Sequence, residues 1–201
     1  MSTAAKRKLY TFDEFCLLVK DGEKADLIDG VIYVASPENT DSNRIEGWLY
    51  ALVLHFMQRR DLGTLFISRV AFRLDGNNGI GPDIAFVKKG RENIIKRGRV
   101  DGPPDLAIEI VSPGSVDRDY RTKLRQYEQA GVQEYWIIDE LKETVTWYRL
   151  DRQGKYRAVR PRKGKLTSVV LPGFWLLPQW LWQRPMPDLL KTLEEIGSNP
   201  G

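Results

Sequence analysis

The chain has 201 residues, a length that suffices for one sizeable hydrophobic core and predicts a single domain. Its 42% hydrophobic and 29% charged residues are typical of a globular protein, and its formal net charge of +4 tolerates a polyanionic partner without requiring one. The one cysteine, Cys16, excludes an internal disulfide, and the one histidine, His55, excludes a multi-histidine metal site. The absence of a run of about eighteen apolar residues predicts a cytoplasmic protein that does not span a membrane.

The first half of the chain is predicted to contain two helices and several short strands. Thr11 and Glu14 have the spacing of a capping box, which predicts a short helix that begins there and ends at Gly22. The dipeptide Asp29-Gly30 predicts a hairpin turn between two short strands. Helical spacing of apolar residues predicts the longest helix over residues 41–60. Strands are expected within residues 64–76 and 82–90, followed by a charged connector at 91–104.

The second half continues with a strand, a helix and two further strands. Residues 105–111, DLAIEIV, predict a strand with alternating faces. One face carries Leu106, Ile108 and Ile110, and the other carries Ala107, Glu109 and Val111. A helix is expected over residues 115–131, and strands over residues 133–139 and 144–150. This order predicts an α/β domain in which a mixed central sheet is flanked by helices.

The last fifty residues, 151–201, are predicted to extend a core formed by residues 10–150. Residues 151–165 form a basic, turn-rich segment that suits a solvated hairpin and, less readily, a nucleic-acid backbone contact. Trp175, Trp180 and Trp182 follow among prolines. We expect these tryptophans to close the open end of the core, and a homodimer is the alternative use of such an aromatic cluster.

Three charged residues point to chemistry when they are considered together. Glu109 interrupts an apolar strand, where a carboxylate loses solvation unless a cation or hydrogen-bond donors compensate the loss. Asp83 begins the strand before it, and Lys123 lies on the helix that follows it. Each residue also has an ordinary explanation: a salt bridge for Glu109, a turn cap for Asp83 and exposure to solvent for Lys123. Two carboxylates that converge would favour Mg²⁺ or Mn²⁺, while the lysine would stabilise developing negative charge.

The segments PDIAFV, PPDLAIEIVSP and DRDYRTKLRQYEQAGVQEYWIID together resemble the Uma-two family of restriction-endonuclease-like proteins, within the PD-(D/E)xK nuclease superfamily. The resemblance implies a restriction-endonuclease-like fold and metal-dependent hydrolysis of nucleic acid, most simply DNA. It also implies that Asp83 and Glu109 bind the metal together with the backbone carbonyl of Val111. The superfamily lysine normally stands at the position of Val111, and the resemblance transfers its role to Lys123.

Three positions depart from the family pattern. Asp26 stands where relatives carry a glutamate, and Val31 replaces a second acid. Ser42 or Asn43 stands where relatives often carry a histidine. Asp26 is therefore an expected but shorter catalytic acid, and a catalytically weakened member that binds nucleic acid or protein remains the alternative to an active nuclease.

The helix after Glu109 also carries three arginines, which we expect to contact phosphates: Arg118, Arg121 and Arg125. Gln126 and Tyr127 on the same helix are further candidates for the site, although packing is the more ordinary role for Tyr127. Cys16 and His55 are expected to be structural.

Overall fold

The computed structural model describes residues 8–20, 23–35, 39–68 and 70–198. The first helix ends at Leu18, because Val19 is already extended, so the predicted end at Gly22 is wrong. Its α-helices are α1 (Phe12–Leu18), α2 (Thr40–Gln58), α3 (Leu124–Ala130) and α4 (Leu189–Ser198). A π-helical turn at Arg118–Lys123 leads directly into α3, and 3-10 turns occur at Glu92–Ile94 and Pro178–Trp182.

Fourteen strands lie in the described residues. Those of the first half are β1 (Ala25–Ile28), β2 (Val31–Val34), β3 (Gly63–Ile67), β4 (Phe72–Arg73), β5 (Gly79–Ile80), β6 (Ile84–Lys88), β7 (Ile95–Lys96) and β8 (Arg99–Val100). Those of the second half are β9 (Leu106–Val111), β10 (Glu134–Asp139), β11 (Thr144–Leu150), β12 (Tyr156–Ala158), β13 (Leu166–Thr167) and β14 (Trp175–Leu176).

The central sheet has six strands in the order β12-β11-β10-β9-β6-β3. Only its β9–β10 pair is parallel, and the other pairs are antiparallel, so the described part of the chain forms the mixed sheet that the sequence predicts. A second six-stranded sheet, β2-β1-β5-β4-β8-β7, contains the predicted hairpin at Asp29-Gly30. The charged segment 91–104, predicted as a connector, contributes the β7–β8 hairpin to this sheet.

The two faces of β9 pack against different helices. Leu106, Ile108 and Ile110 join the main core together with apolar side chains of α2. Ala107 and Val111 lie in a second core with Tyr127 of α3. The helices therefore cover opposite faces of the sheet, and the predicted alternation along β9 is confirmed. Glu109 points to the α3 side.

The C-terminal segment completes the main core. Trp175 and Trp180 are buried in it, and Trp182 packs against its margin. The ring of Phe174 packs 5.1 Å from that of Phe56 on α2 and 6.0 Å from that of Trp136 on β10. The expectation that these aromatic residues close the core is confirmed. No helix among the described residues has the length and apolar character needed to cross a lipid bilayer.

Caps fix the ends of three helices. The capping box joins Thr11 and Glu14 through reciprocal contacts of 2.9 and 3.2 Å between side-chain oxygens and backbone N–H groups. Helix α2 begins at Thr40 because the side chain of Asn39 accepts hydrogen bonds from the backbone N–H groups of Asp41 and Ser42. Helix α3 ends before Gly131, which adopts the left-handed conformation with φ of 79°.

Candidate active site

A polar pocket opens where β1, β6, β9 and the π-helical turn meet. Asp26, Asp83, Glu109 and Lys123 line it, so the structure brings together all four residues whose side chains were predicted to be catalytic. Each of the four is at most 7% exposed. Burial on this scale requires that every charge has a partner, and the partners define the site.

Glu109 is held by two side chains from the helix that follows its strand. Lys123 Nζ lies 2.8 Å from its Oε2, and the Tyr127 hydroxyl donates to its Oε1 at 2.7 Å. Because Lys123 and Tyr127 are four positions apart, they share one face of the helical segment. The strand, its short connection and this helix thus place a carboxylate and an ammonium in contact. Tyr127 both packs in the core and takes part in the site.

Asp83 is held from two sides. Its Oδ2 accepts a hydrogen bond of 2.6 Å from the backbone N–H of Ile110, the residue after Glu109. Its Oδ1 forms an ion pair with Lys24. The antiparallel pairing of β6 with β9 explains the first contact, since it joins Ile84 to Ile108 and so places Asp83 opposite Glu109, where its side chain reaches the N–H of the next residue, Ile110.

Two further carboxylates surround Lys123. Asp26 Oδ2 lies 3.1 Å from Nζ, and Asp26 Oδ1 accepts a 3.1 Å hydrogen bond from the backbone N–H of Gly81. Asp119 lies one helical turn before Lys123, with its Oδ1 3.6 Å from Nζ. The shorter aspartate at position 26 therefore reaches the site.

The proximity of these charges shifts their proton affinities. Burial raises the pKa of Glu109 to about 8; Lys123 opposes this rise, whereas the negative charges of Asp83, Asp119 and Asp26 reinforce it. Burial alone would lower the pKa of Lys123, but the charges of Asp26, Glu109 and Asp119 outweigh it and raise that pKa well above its ordinary value. Lys123 is therefore a permanent cation at neutral pH, suited to stabilise negative charge rather than to accept a proton.

The three predicted arginines occupy different surroundings. Arg118 lines the pocket, donates to the carbonyl oxygen of Gly114 and stacks 5.5 Å above the ring centroid of Tyr33. Arg121 is exposed and pairs with Asp117, one helical turn earlier. Arg125 pairs with the exposed Asp29 on the β1–β2 turn. Arg118 is thus the member of this set whose side chain borders the pocket.

The donor set is of the kind that a hard divalent cation uses. The pocket lining contains five carboxylates against three cationic side chains, which leaves an excess of negative charge: Asp26, Glu46, Asp83, Glu109 and Asp119 against Lys24, Arg118 and Lys123. Within residues 8–20, 23–35, 39–68 and 70–198, no group of three or more His, Cys, Asp or Glu side chains is arranged to hold a metal ion. Mg²⁺ commonly takes only one or two protein carboxylates and completes its shell with water and substrate oxygens, so Asp83 and Glu109 fit it.

The structure also shows the surroundings of the third expected ligand, Val111, and of the other two departures from the family pattern. Val111 is buried, with its side chain in the second core, while Ile110 lines the pocket. Ser42 lines the pocket from the first turn of α2, and its buried Oγ has no hydrogen-bond partner among the described residues. Val31 starts β2, where it pairs with Ile28.

Sequence reasoning missed three charged residues of this pocket, namely Lys24, Glu46 and Asp119. Lys24 and Asp26 are two positions apart, so the period of an extended segment indicates that both face the same side. Glu46 lies between the buried Ile45 and Leu49 on α2, an acid within an apolar stripe, and accepts a 2.7 Å hydrogen bond from the hydroxyl of Ser68. Asp119 precedes Lys123 by four positions. These positions in the sequence could have indicated that the three residues face the pocket.

Comparison with known proteins gives the same picture of the fold. A crystal structure of a "putative nuclease belonging to DUF820" from Anabaena variabilis is similar to this chain with a TM-score of 0.70 and 20% identity. The similarity covers 86% of this chain and 97% of the Anabaena chain. Among curated proteins, none matches. Residues 10–179 match the Uma2 family, which is described as "Putative restriction endonuclease".

This match extends beyond the predicted core at 10–150 into the aromatic C-terminal segment, which the structure shows to be part of the main core. It also spans the strands and the helix that supply Asp83, Glu109 and Lys123. The chain belongs to the Uma2 family.

Proposed function

We propose that the protein is a metal-dependent endonuclease that hydrolyses phosphodiester bonds of nucleic acid, with DNA as the expected substrate. The observation that carries the proposal is the contact of Glu109 with Lys123 beside Asp83 in one buried pocket. A pair of carboxylates and a lysine suits phosphodiester hydrolysis, in which negative charge grows on the phosphate as water attacks. Membership of a family described as restriction endonucleases supports the same reaction class.

In this proposal, Asp83, Glu109 and the carbonyl of Val111 hold Mg²⁺ or Mn²⁺, which would activate water and neutralise phosphate charge when bound. Lys123 stabilises the negative charge that develops on the phosphate. Asp26 Oδ1 accepts a hydrogen bond from the backbone N–H of Gly81, directly after β5, which fixes the orientation of the Asp26 side chain. Asp26 Oδ2 can therefore hold the Lys123 ammonium in position. Arg118 contacts a phosphate at the pocket rim.

The test is cleavage of supercoiled plasmid and of single-stranded DNA and RNA by purified protein with Mg²⁺, Mn²⁺ or EDTA. We expect cleavage with either metal and none in EDTA. Glu109→Gln and Lys123→Met should each lose at least about a hundredfold in rate, the scale of removing one charge-stabilising group. Lys155→Met, an exposed lysine paired with Glu128, is the matched control and should cleave normally. Equal cleavage by Glu109→Gln and wild type would refute the proposal.

The alternative is a catalytically weakened member that binds nucleic acid or protein without hydrolysis. One observation favours it: all four carboxylate oxygens of Asp83 and Glu109 are already held by protein donors. This function predicts no cleavage under any metal condition, together with oligonucleotide binding that weakens as salt rises. Fluorescence anisotropy with a labelled oligonucleotide at several salt concentrations measures that binding directly.

A further inference from the structure

Lys24 occupies a position that matters for any cation entering the pocket. It lies just before β1 and forms an ion pair with Asp83 Oδ1 across 59 positions of sequence. The lysine side chain is 20% exposed, and that of Asp83 is 5% exposed. The other carboxylate oxygen of Asp83 accepts the 2.6 Å hydrogen bond from Ile110 N. Protein donors therefore hold both oxygens of this carboxylate.

A divalent cation that binds Asp83 needs at least one of these oxygens. The donor of the Ile110 hydrogen bond is a backbone N–H group, which cannot move without disturbing β9. The Lys24 ammonium, in contrast, ends a flexible four-carbon side chain. An ammonium and a divalent cation repel each other strongly at short distance in a pocket with little water. The Lys24 contact is consequently the one that gives way.

The charge state of Lys24 is consistent with this role. A lysine ammonium is positively charged at neutral pH, and this one lies directly against the carboxylate of Asp83. Lys24 thus neutralises Asp83 when no other cation is present. Lys24 also lines the pocket, so its ammonium remains beside the pocket after it leaves Asp83.

We propose that Lys24 is a positioning residue that competes with the divalent cation for Asp83, and so sets the metal concentration at which the site fills. The inference rests on the proposed function, because it assumes that Asp83 is a metal ligand. It assigns the protein two active-site lysines with different tasks. Lys123 stays with Glu109 and Asp26, whereas Lys24 exchanges its partner.

The experiment compares wild type with Lys24→Met by calorimetric titration of Mn²⁺ and by thermal unfolding with and without Mn²⁺. Lys24→Met should bind Mn²⁺ about tenfold more tightly, because the cation no longer displaces a charged hydrogen bond. In EDTA the variant should unfold several degrees below wild type, since Asp83 is left buried without its cation. Mn²⁺ should then raise its unfolding temperature by more than it raises that of wild type.

Two controls separate exchange at Asp83 from a general change of charge. Arg118→Met removes a positive charge from the same pocket but frees no carboxylate oxygen. Lys142→Met breaks a 2.9 Å contact with the buried Asp139 outside the pocket. Neither variant should tighten Mn²⁺ binding by more than about twofold, because the repulsion between a solvent-screened side-chain charge and the bound cation is weak. Lys24→Gln provides a second variant if Lys24→Met does not fold, and should change affinity in the same direction.

The outcomes distinguish this inference from the proposed function. Unchanged Mn²⁺ affinity in Lys24→Met, or equal tightening in Lys24→Met and Arg118→Met, overturns the role of Lys24 while metal-dependent cleavage by wild type stands. Absence of Mn²⁺ binding in wild type and variants overturns both. Tighter binding specific to position 24, with lower stability in EDTA, supports the exchange.

Discussion

Lys123 Nζ lies 2.8 Å from Glu109 Oε2 in a place where neither side chain is more than 4% exposed. The two residues are 14 positions apart, on β9 and on the helical segment that follows it. The chain therefore turns after β9 so that the following helical segment places Lys123 against Glu109, the buried carboxylate of the same strand. Because burial raises the pKa of Glu109 to about 8, both members of the pair are charged only above that pH, and there each charge is tolerated because of the other.

Removal of one member of this pair should be costly for folding. Lys123→Met leaves Glu109 and Asp26 buried without their cation, and we expect a loss of about 3–5 kcal/mol in the free energy of unfolding. The double variant with Glu109→Gln should recover part of that loss. Urea unfolding of the two single variants and the double variant gives the coupling energy. Additive losses in the double variant would show that the pair is not coupled.

The stability of the metal-free protein should depend on pH through Glu109. Its pKa is raised by burial from 4.5 to about 8, so in the folded protein it keeps a proton that the unfolded chain has released. The stability from this group is complete below pH 4.5 and is lost as pH rises towards 8, by up to about 1.4 kcal/mol per pH unit. When the free energy of unfolding is measured in EDTA between pH 4.5 and pH 8, it should fall less steeply with pH in Glu109→Gln than in wild type. An equal pH dependence in the two proteins would contradict the raised pKa of Glu109.

Tyr127→Phe isolates the hydroxyl that donates to Glu109 from the ring that packs in the second core. We expect a modest loss of about 1–2 kcal/mol in stability, because a buried carboxylate oxygen loses its donor. We also expect slower cleavage, since Glu109 is then less firmly oriented. Tyr135→Phe removes a 3.0 Å hydrogen bond to the backbone oxygen of Asp119 and is the control. Cleavage that falls equally in both variants would argue against a specific role of Tyr127.

The three arginines should contribute unequally to nucleic-acid binding. Arg118→Ala should weaken oligonucleotide binding and reduce its dependence on salt concentration by about one phosphate contact. Arg121→Ala should have a smaller effect, since Arg121 pairs with Asp117 away from the pocket lining. Anisotropy titrations at several salt concentrations measure both quantities. Equal losses at the two positions would indicate a binding surface that extends over the whole helix.

Phe174→Ala tests whether the C-terminal segment is part of the fold. Its fully buried ring packs against Phe56 and Trp136, so we expect a loss of about 3–5 kcal/mol in the free energy of unfolding. Val169→Ala, at a position that is 49% exposed, should cost less than about 1 kcal/mol. A small effect at Phe174 would mean that residues 10–150 fold without this segment.

Local patterns predicted most elements and the centre of the pocket. Alternation along residues 105–111 correctly divides β9 into two faces, and the capping box and the long apolar stripe locate α1 and α2. Lys123 was placed near Glu109 because only a short connection separates strand and helix. These predictions succeed because the interactions that decide them are close in sequence.

Long-range partners were not predictable in the same way. The pairing of Lys24 with Asp83 requires β1 and β6 to be brought together from different sheets, which no local pattern encodes. In the sequence, Glu46 cannot be distinguished from the exposed polar residues of a helix, because its burial depends on the packing of α2 against the sheet. The partners of Arg121 and Arg125 were also missed, because exposed arginines have many acidic neighbours in sequence and their choice depends on side-chain geometry.

The π-helical turn at Arg118–Lys123 has a consequence for how relatives could diverge. A π-helical turn contains one residue more than the α-helical turn it replaces. Deletion of Thr122 would restore a regular α-helix and rotate the preceding residues by about 100° relative to α3. Arg118 and Asp119 would then turn away from the pocket, whereas Lys123 and Tyr127 would keep their places beside Glu109. A single-codon deletion could thus change what the site recognises while leaving its lysine and carboxylate in register.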